Sequence, residues 1–136
     1  MINQELKEAI DRKIQNNEFD VADLPAYFTL FCQLANEIEE IQEEVAGWNQ
    51  RILLDLAGLG PYQILVEDGR FTVTPGSIEE PDLIFIMTAA DAVGIFSGEK
   101  DAESAFVSGT LKVTGDLFDA MKLQTLIEIV ADEIEY

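Results

Sequence analysis

The first third of the chain carries its apolar residues at helical spacing. Ile2, Leu6, Ile10 and Ile14 recur every four residues, which puts them on one face of an amphipathic helix ending near the polar cluster Gln15 to Glu18. Residues 1–20 therefore read as a peripheral N-terminal helix. Asp20 and Asp23 can each cap a following helix, and Pro25 stands early in it, where its missing N–H is not needed. Tyr27, Phe31, Leu34, Ile38, Ile41 and Val45 then follow at alternating spacings of four and three. That pattern predicts one long helix over 23–47, stopped by Gly47. Its opposite side, with Glu37, Glu39, Glu40, Glu43 and Glu44, reads as a solvated face.

After Gly47 the period falls from 3.6 to 2, so residues 48–136 open with a sheet. Ile52, Leu54 and Leu56 alternate with Arg51, Leu53 and Asp55, and Gly58 with Gly60-Pro61 turns the chain. The segments PYQILVE and RFTVTP flank the hairpin turn Asp68-Gly69, which completes a three-strand meander. Leu83 to Met87 is apolar on both faces and predicts a fourth strand covered on both sides, by an interior position or by a second apolar surface that something else covers. Thr88 and Asp91 start a short helix that Gly98 ends, and a second short helix runs from Asp101 through Phe106 to Gly109. Leu111 and Val113 alternate as a fifth strand, and Asp116 caps the last helix. In that helix Leu117, Met121, Gln124, Ile127 or Glu128, and Ala131 share a face, while Phe118, Leu126, Ile129 and Val130 widen it. Packing on one neighbour needs a stripe of about 100°, so the surplus requires burial by something more.

Charge narrows the function classes. Among 136 residues 27 are acidic and 8 basic, a formal charge of −19. Nucleic acid is excluded as a partner, because a phosphate-tracking surface needs clustered Lys and Arg. Contact with anionic membranes is at most weak on the same ground. Histidine is absent, so neither a Ser-His or Cys-His pair nor an imidazole metal site can be built. Cys32 is the single cysteine and sits in an apolar helical stripe, as a packing residue would. Phosphate-binding glycine loops are lacking, and the acidic pairs Glu43-Glu44, Glu79-Glu80 and Asp132-Glu133 have no EF-hand spacing. The expectation is a non-enzyme with no catalytic residue, metal or cofactor. The chain lacks a run long enough to span a bilayer and carries no recognisable targeting segment, so it reads as a cytoplasmic protein of one domain, 1–136.

The positive signal is apolar. Phe85, Met87, Phe96, Phe106, Phe118 and Met121 gather in the C-terminal half, and such side chains either fill a core or line a cavity for a greasy ligand. From Trp48 to Leu126 the order of pieces resembles the sterol carrier protein type two family, in its small, stand-alone, prokaryotic-like form. The strand meander is followed by PDLIFIMTAADAVGIFSGEKDAESAFVSG and TLKVTGDLFDAMKLQ, with Ser97-Gly98, Ala105-Phe106, Ser108-Gly109, Gly115-Asp116 and Met121-Lys122-Leu123-Gln124 in the family's order. The resemblance implies an α+β fold: a five-stranded, mostly antiparallel sheet with helices packed on one face, here with an extra N-terminal helix. It also implies an apolar tunnel between sheet and C-terminal helices that holds a fatty acyl chain, acyl-CoA, isoprenoid or sterol-like lipid. Carried over position by position, the lining is Phe85, Met87, Phe96, Phe106, Leu111, Phe118, Met121 and Gln124, with Gln124 as the polar group. The acidity departs from the basic lipid-transfer members and favours a holder of lipid, as a homodimer or beside a partner enzyme. The alternative is an accessory interaction subunit with a filled core.

Overall fold

The computed structural model describes residues 2–134. Its first helix, α1 (Gln4–Gln15), is capped by Asn3, whose side chain accepts from the Leu6 N–H, and buries Ile10. A 3-10 turn at Val21–Asp23, capped by Asp20, leads into α2 (Leu24–Glu37), with Pro25 in its first turn. α2 is the central core helix, burying Leu24, Tyr27, Phe28, Leu30, Phe31, Leu34 and Ala35.

The long helix expected over 23–47 is broken. Ile38 adopts φ −71°, ψ 119°, and a separate helix α3 (Glu39–Glu44) follows. A continuous helix would satisfy the Ala35 carbonyl from the Glu39 N–H. Here the Gln42 side-chain amide donates to that carbonyl at 2.8 Å, and to the Gly69 carbonyl at 3.1 Å. The break thus docks α3 on a hairpin turn while Ile41 and Val45 stay buried.

Strands β1 (Gln50–Ala57), β2 (Gly60–Glu67), β3 (Arg70–Pro75), β4 (Leu83–Thr88) and β5 (Lys112–Gly115) form one sheet in the order β3-β2-β1-β4-β5. Three pairings are antiparallel, and β1 with β4 is parallel. The β2–β3 turn uses Asp68 and Gly69, both at positive φ, as a type I′ hairpin requires. β3 is an edge strand, and Asn36 of α2 occupies its open side: the Asn36 amide donates to the Phe71 carbonyl at 3.0 Å and accepts from the Phe71 N–H at 2.8 Å.

The side-chain alternation sorts the two faces of the sheet. Ile52, Leu54, Leu56, Ile64, Val66, Phe71, Leu83, Phe85 and Met87 are buried under the helices. The other face carries Leu53, Leu65 and Ile84, partly buried, and Ile86, exposed. β4 is therefore interior to the sheet, as one of the two readings of its apolar run expected; helices lie over one of its faces among the described residues, and Ile84 and Ile86 stand on the other.

Three helices complete the chain. Thr88 caps α4 (Ala89–Ser97), accepting from the Asp91 N–H at 3.0 Å. Asp101 caps α5 (Ala102–Ser108), and Asp116 caps α6 (Leu117–Ile134) by accepting from the Phe118 N–H at 2.8 Å. The buried residues of α6 are Ala120, Leu123, Leu126, Ile127, Val130, Ala131 and Ile134. Only Ile127 and Ala131 of the face expected from spacing are buried there, and Leu117, Met121 and Gln124 lie along its flank. An aromatic cluster closes the core: the Phe96 ring lies 5.5 Å from Tyr27, 5.2 Å from Phe28 and 6.3 Å from Phe31.

Candidate lipid-binding site

An apolar pocket lies where β4, β5, α5 and the start of α6 converge. Phe85 and Val113 are register partners across β4 and β5. With Leu111, just before β5, they form the floor. Phe106 projects from α5, and α6 supplies Leu117, Ala120, Met121 and Gln124, a strip at positions i, i+3, i+4 and i+7. No lining side chain is ionisable, and Gln124 is the one polar member. The cavity measures about 40 Å³. That accommodates a few water molecules and is far below the roughly 300–1,000 Å³ of ligand-filled sites.

The walls are held unequally. α6 is fastened on the side away from the pocket: the Trp48 indole N–H donates to Asp119 at 2.9 Å, and Lys122 donates to the Glu44 carbonyl at 3.1 Å while lying 5.4 Å over the Trp48 ring. α5, by contrast, buries only Ala102 and Ala105, and glycines in the left-handed conformation flank it, Gly98 at φ 84° and Gly109 at φ 86°. The mouth is greasy. Phe106, Leu117 and Met121 are 44%, 58% and 61% exposed, and their chain neighbours Val107 and Phe118 are 79% and 84% exposed.

A larger cleft, about 470 Å³, is bordered by Ile14, Asn17, Phe19, Val93, Ser97 and Glu99. It mixes Asn, Ser and Glu with apolar groups, so it lacks the almost wholly apolar lining of the smaller pocket. Two carboxylates elsewhere are engaged at helix starts. Lys100 and Thr88 hydrogen-bond Asp91 at 3.0 and 2.8 Å and hold its carboxyl below the usual range, and the Ser104 hydroxyl does the same for Asp101. Burial pushes the Cys32 thiol up to about 12. Among the described residues no group of three or more Asp, Glu, Cys or His side chains is placed to hold a metal ion. None of the described helices is long and apolar enough to cross a membrane.

The profile of the SCP-2 sterol transfer family matches residues 28–128. The chain belongs to that family. Sterol carrier protein 2 of Rattus norvegicus is 36% identical over 103 residues, covering 71% of this chain and 19% of the rat protein. The chain thus spans less than a fifth of the length of the curated relatives it matches. Among solved structures, the sterol carrier protein domain 2 of Helicoverpa armigera superposes with a TM-score of 0.58 at 26% identity, covering 78% of this chain and 86% of that one. A stereoselective inverting sec-alkylsulfatase from Pseudomonas sp. contains the same fold as one part: TM-score 0.55, 20% identity, 73% of this chain but 15% of that one.

All eight lining residues of the pocket fall inside the region shared with the SCP-2 family, and α1 falls outside it. Of the positions carried over from the family, Phe85, Phe106, Leu111, Met121 and Gln124 come together at this one pocket. Phe96 does not, because its ring is consumed by the aromatic cluster with Tyr27, Phe28 and Phe31. Met87 is buried two residues beyond Phe85 and lies outside the lining. Phe118 points to solvent. Sequence reasoning left Val113, Leu117 and Ala120 out of the site. Each carried a signal: Val113 alternates in phase with Leu111, and Leu117 and Ala120 share the helical strip of Met121 and Gln124.

Proposed function

We propose that this chain is a non-catalytic holder of one lipid, taking an acyl chain, isoprenoid or sterol-like body into the pocket between β4–β5, α5 and α6. The observation that carries the reading is the lining itself: seven apolar side chains and one amide, without an ionisable group, opening through a greasy mouth. Such walls bind by burying apolar area, at about 25 cal/mol per Å². They supply no acid, base or nucleophile, in keeping with a carrier that does no chemistry. A volume of about 40 Å³ means that uptake requires a wall to move. α5 is the wall with the least to lose, since two alanines are all it buries, Gly109 ends it, and Gly98 lies between it and α4. Gln124 then meets whatever polar group the ligand carries. We place this holder in the cytoplasm, where it keeps its lipid for a partner enzyme.

Native mass spectrometry of the purified chain should show a co-purified lipid. Met121→Trp should abolish binding of a pyrene-labelled fatty acid by at least about tenfold with the circular dichroism spectrum unchanged, because an indole fills the cavity. Unchanged binding would remove the pocket from the function. One observation favours a second reading, an accessory interaction subunit with a filled core: the small volume of the pocket. An empty mass spectrum and no response to the fatty acid in the parent chain would establish it instead.

A further inference from the structure

We propose that the ridge formed by α5 and the first two turns of α6 is a docking face for an uncharged or zwitterionic lipid surface. The inference rests on the lipid-holding reading above and adds where the lipid is exchanged. Among the described residues six large apolar side chains are exposed, and five of them, Phe106, Val107, Leu117, Phe118 and Met121, belong to this ridge. Three of the five also line the pocket, so the ridge is continuous with its mouth. Val107 sits in the last turn of α5 and Phe118 in the first turn of α6, and neither lines the pocket. Their apolar surface has no use inside the protein. Apolar side chains carried on helix ends suit shallow insertion at the boundary of headgroups and acyl chains.

Charge selects the kind of surface. The chain carries −19 overall, and Asp101, Glu103 and Asp116 stand exposed on the same two elements or at their caps. Of the nearby cations, Lys122 is engaged with the Glu44 carbonyl and the Trp48 ring, Lys100 pairs with Asp91, and the exposed Lys112 alternates on β5 with the floor residues Leu111 and Val113, which leaves one cation against three carboxylates. An anionic bilayer therefore repels this face, and a neutral one does not. The same carboxylates disfavour a second copy, since a two-fold contact through the ridge sets like charges against each other.

The test is sedimentation of the full chain with sucrose-loaded vesicles, of phosphatidylcholine alone and of phosphatidylcholine mixed with phosphatidylserine. The parent should pellet with phosphatidylcholine and less with the mixture, and added salt should narrow the difference by screening the repulsion. Phe118→Ser and Val107→Ser should each weaken vesicle binding about 5-fold to 10-fold. Both variants should bind pyrene-labelled fatty acid as the parent does, which separates the ridge from the pocket. Absence of phosphatidylcholine binding, binding unchanged in both variants, or a preference for phosphatidylserine overturns the proposal while leaving the pocket untouched. A dimer that Phe118→Ser dissociates, seen by sedimentation velocity, would assign the ridge to a second copy and overturn it as well. Failure of Met121→Trp to affect fatty-acid binding strikes the pocket instead.

Discussion

Tyr27 shows how a single polar atom is accommodated in an aromatic core. Its ring is fully buried, and its hydroxyl donates to the Phe96 carbonyl at 2.8 Å, the last turn of α4. Tyr27→Phe removes the donor and leaves that carbonyl without water or a partner, so a loss of about 1–2 kcal/mol is expected in urea denaturation. Burial also raises the Tyr27 hydroxyl above its ordinary value. Cys32 follows the same logic with a visible pH signature. Its thiol is pushed up to about 12 by burial, whereas an unfolded thiol titrates at roughly 8.5. The protonated form is favoured in the folded state, so this contribution to stability is complete below the unfolded value and is lost as the pH rises towards about 12. Cys32→Ala should flatten the fall in urea midpoint that the parent shows over that alkaline window. In the native parent near neutral pH, Ellman's reagent should react only on unfolding.

At the level of elements, the break at Ile38 makes an unusual substitution harmless. Glu39 is the first residue of α3 and follows a residue already at φ −71°, ψ 119°, the conformation that proline imposes on its predecessor. Glu39→Pro should change the unfolding free energy measured in urea by less than about 0.5 kcal/mol, whereas in an unbroken helix it would cost about 3 kcal/mol. The break could not be read from the chain. Ile38 and Ile41 keep perfect helical spacing across it and no Gly or Pro marks it, because its cause is the Gln42 amide reaching Ala35 and Gly69. Strands and caps were legible for the opposite reason: alternation at Ile52–Leu56, the Asp68-Gly69 turn, and Thr88, Asp101 and Asp116 all act locally. The site was legible in part. Helical spacing put Leu117, Met121 and Gln124 together, but an apolar residue looks the same in sequence whether it lines a cavity, as Phe106 does, or fills a core, as Phe96 does.

Across the whole molecule, a charge of −19 on 136 residues works against compaction. Among the described residues three ion pairs offset it: Lys7 with Asp11, Lys13 with Asp23 and Lys100 with Asp91. All involve side chains open to water in some degree, so their contribution is small. Screening the net repulsion should outweigh weakening those pairs, and the urea midpoint should rise as sodium chloride is added from low ionic strength to the physiological range. A midpoint that falls with salt would show the pairs to dominate. The same acidity keeps copies of the chain apart at a distance but not at contact, where backbone groups decide. There the clamp of Asn36 on Phe71 matters, because it occupies hydrogen-bonding groups on the outer side of β3 that a strand from another molecule would need. One amide side chain thereby blocks strand addition at Phe71, on the longer of the sheet's two edges.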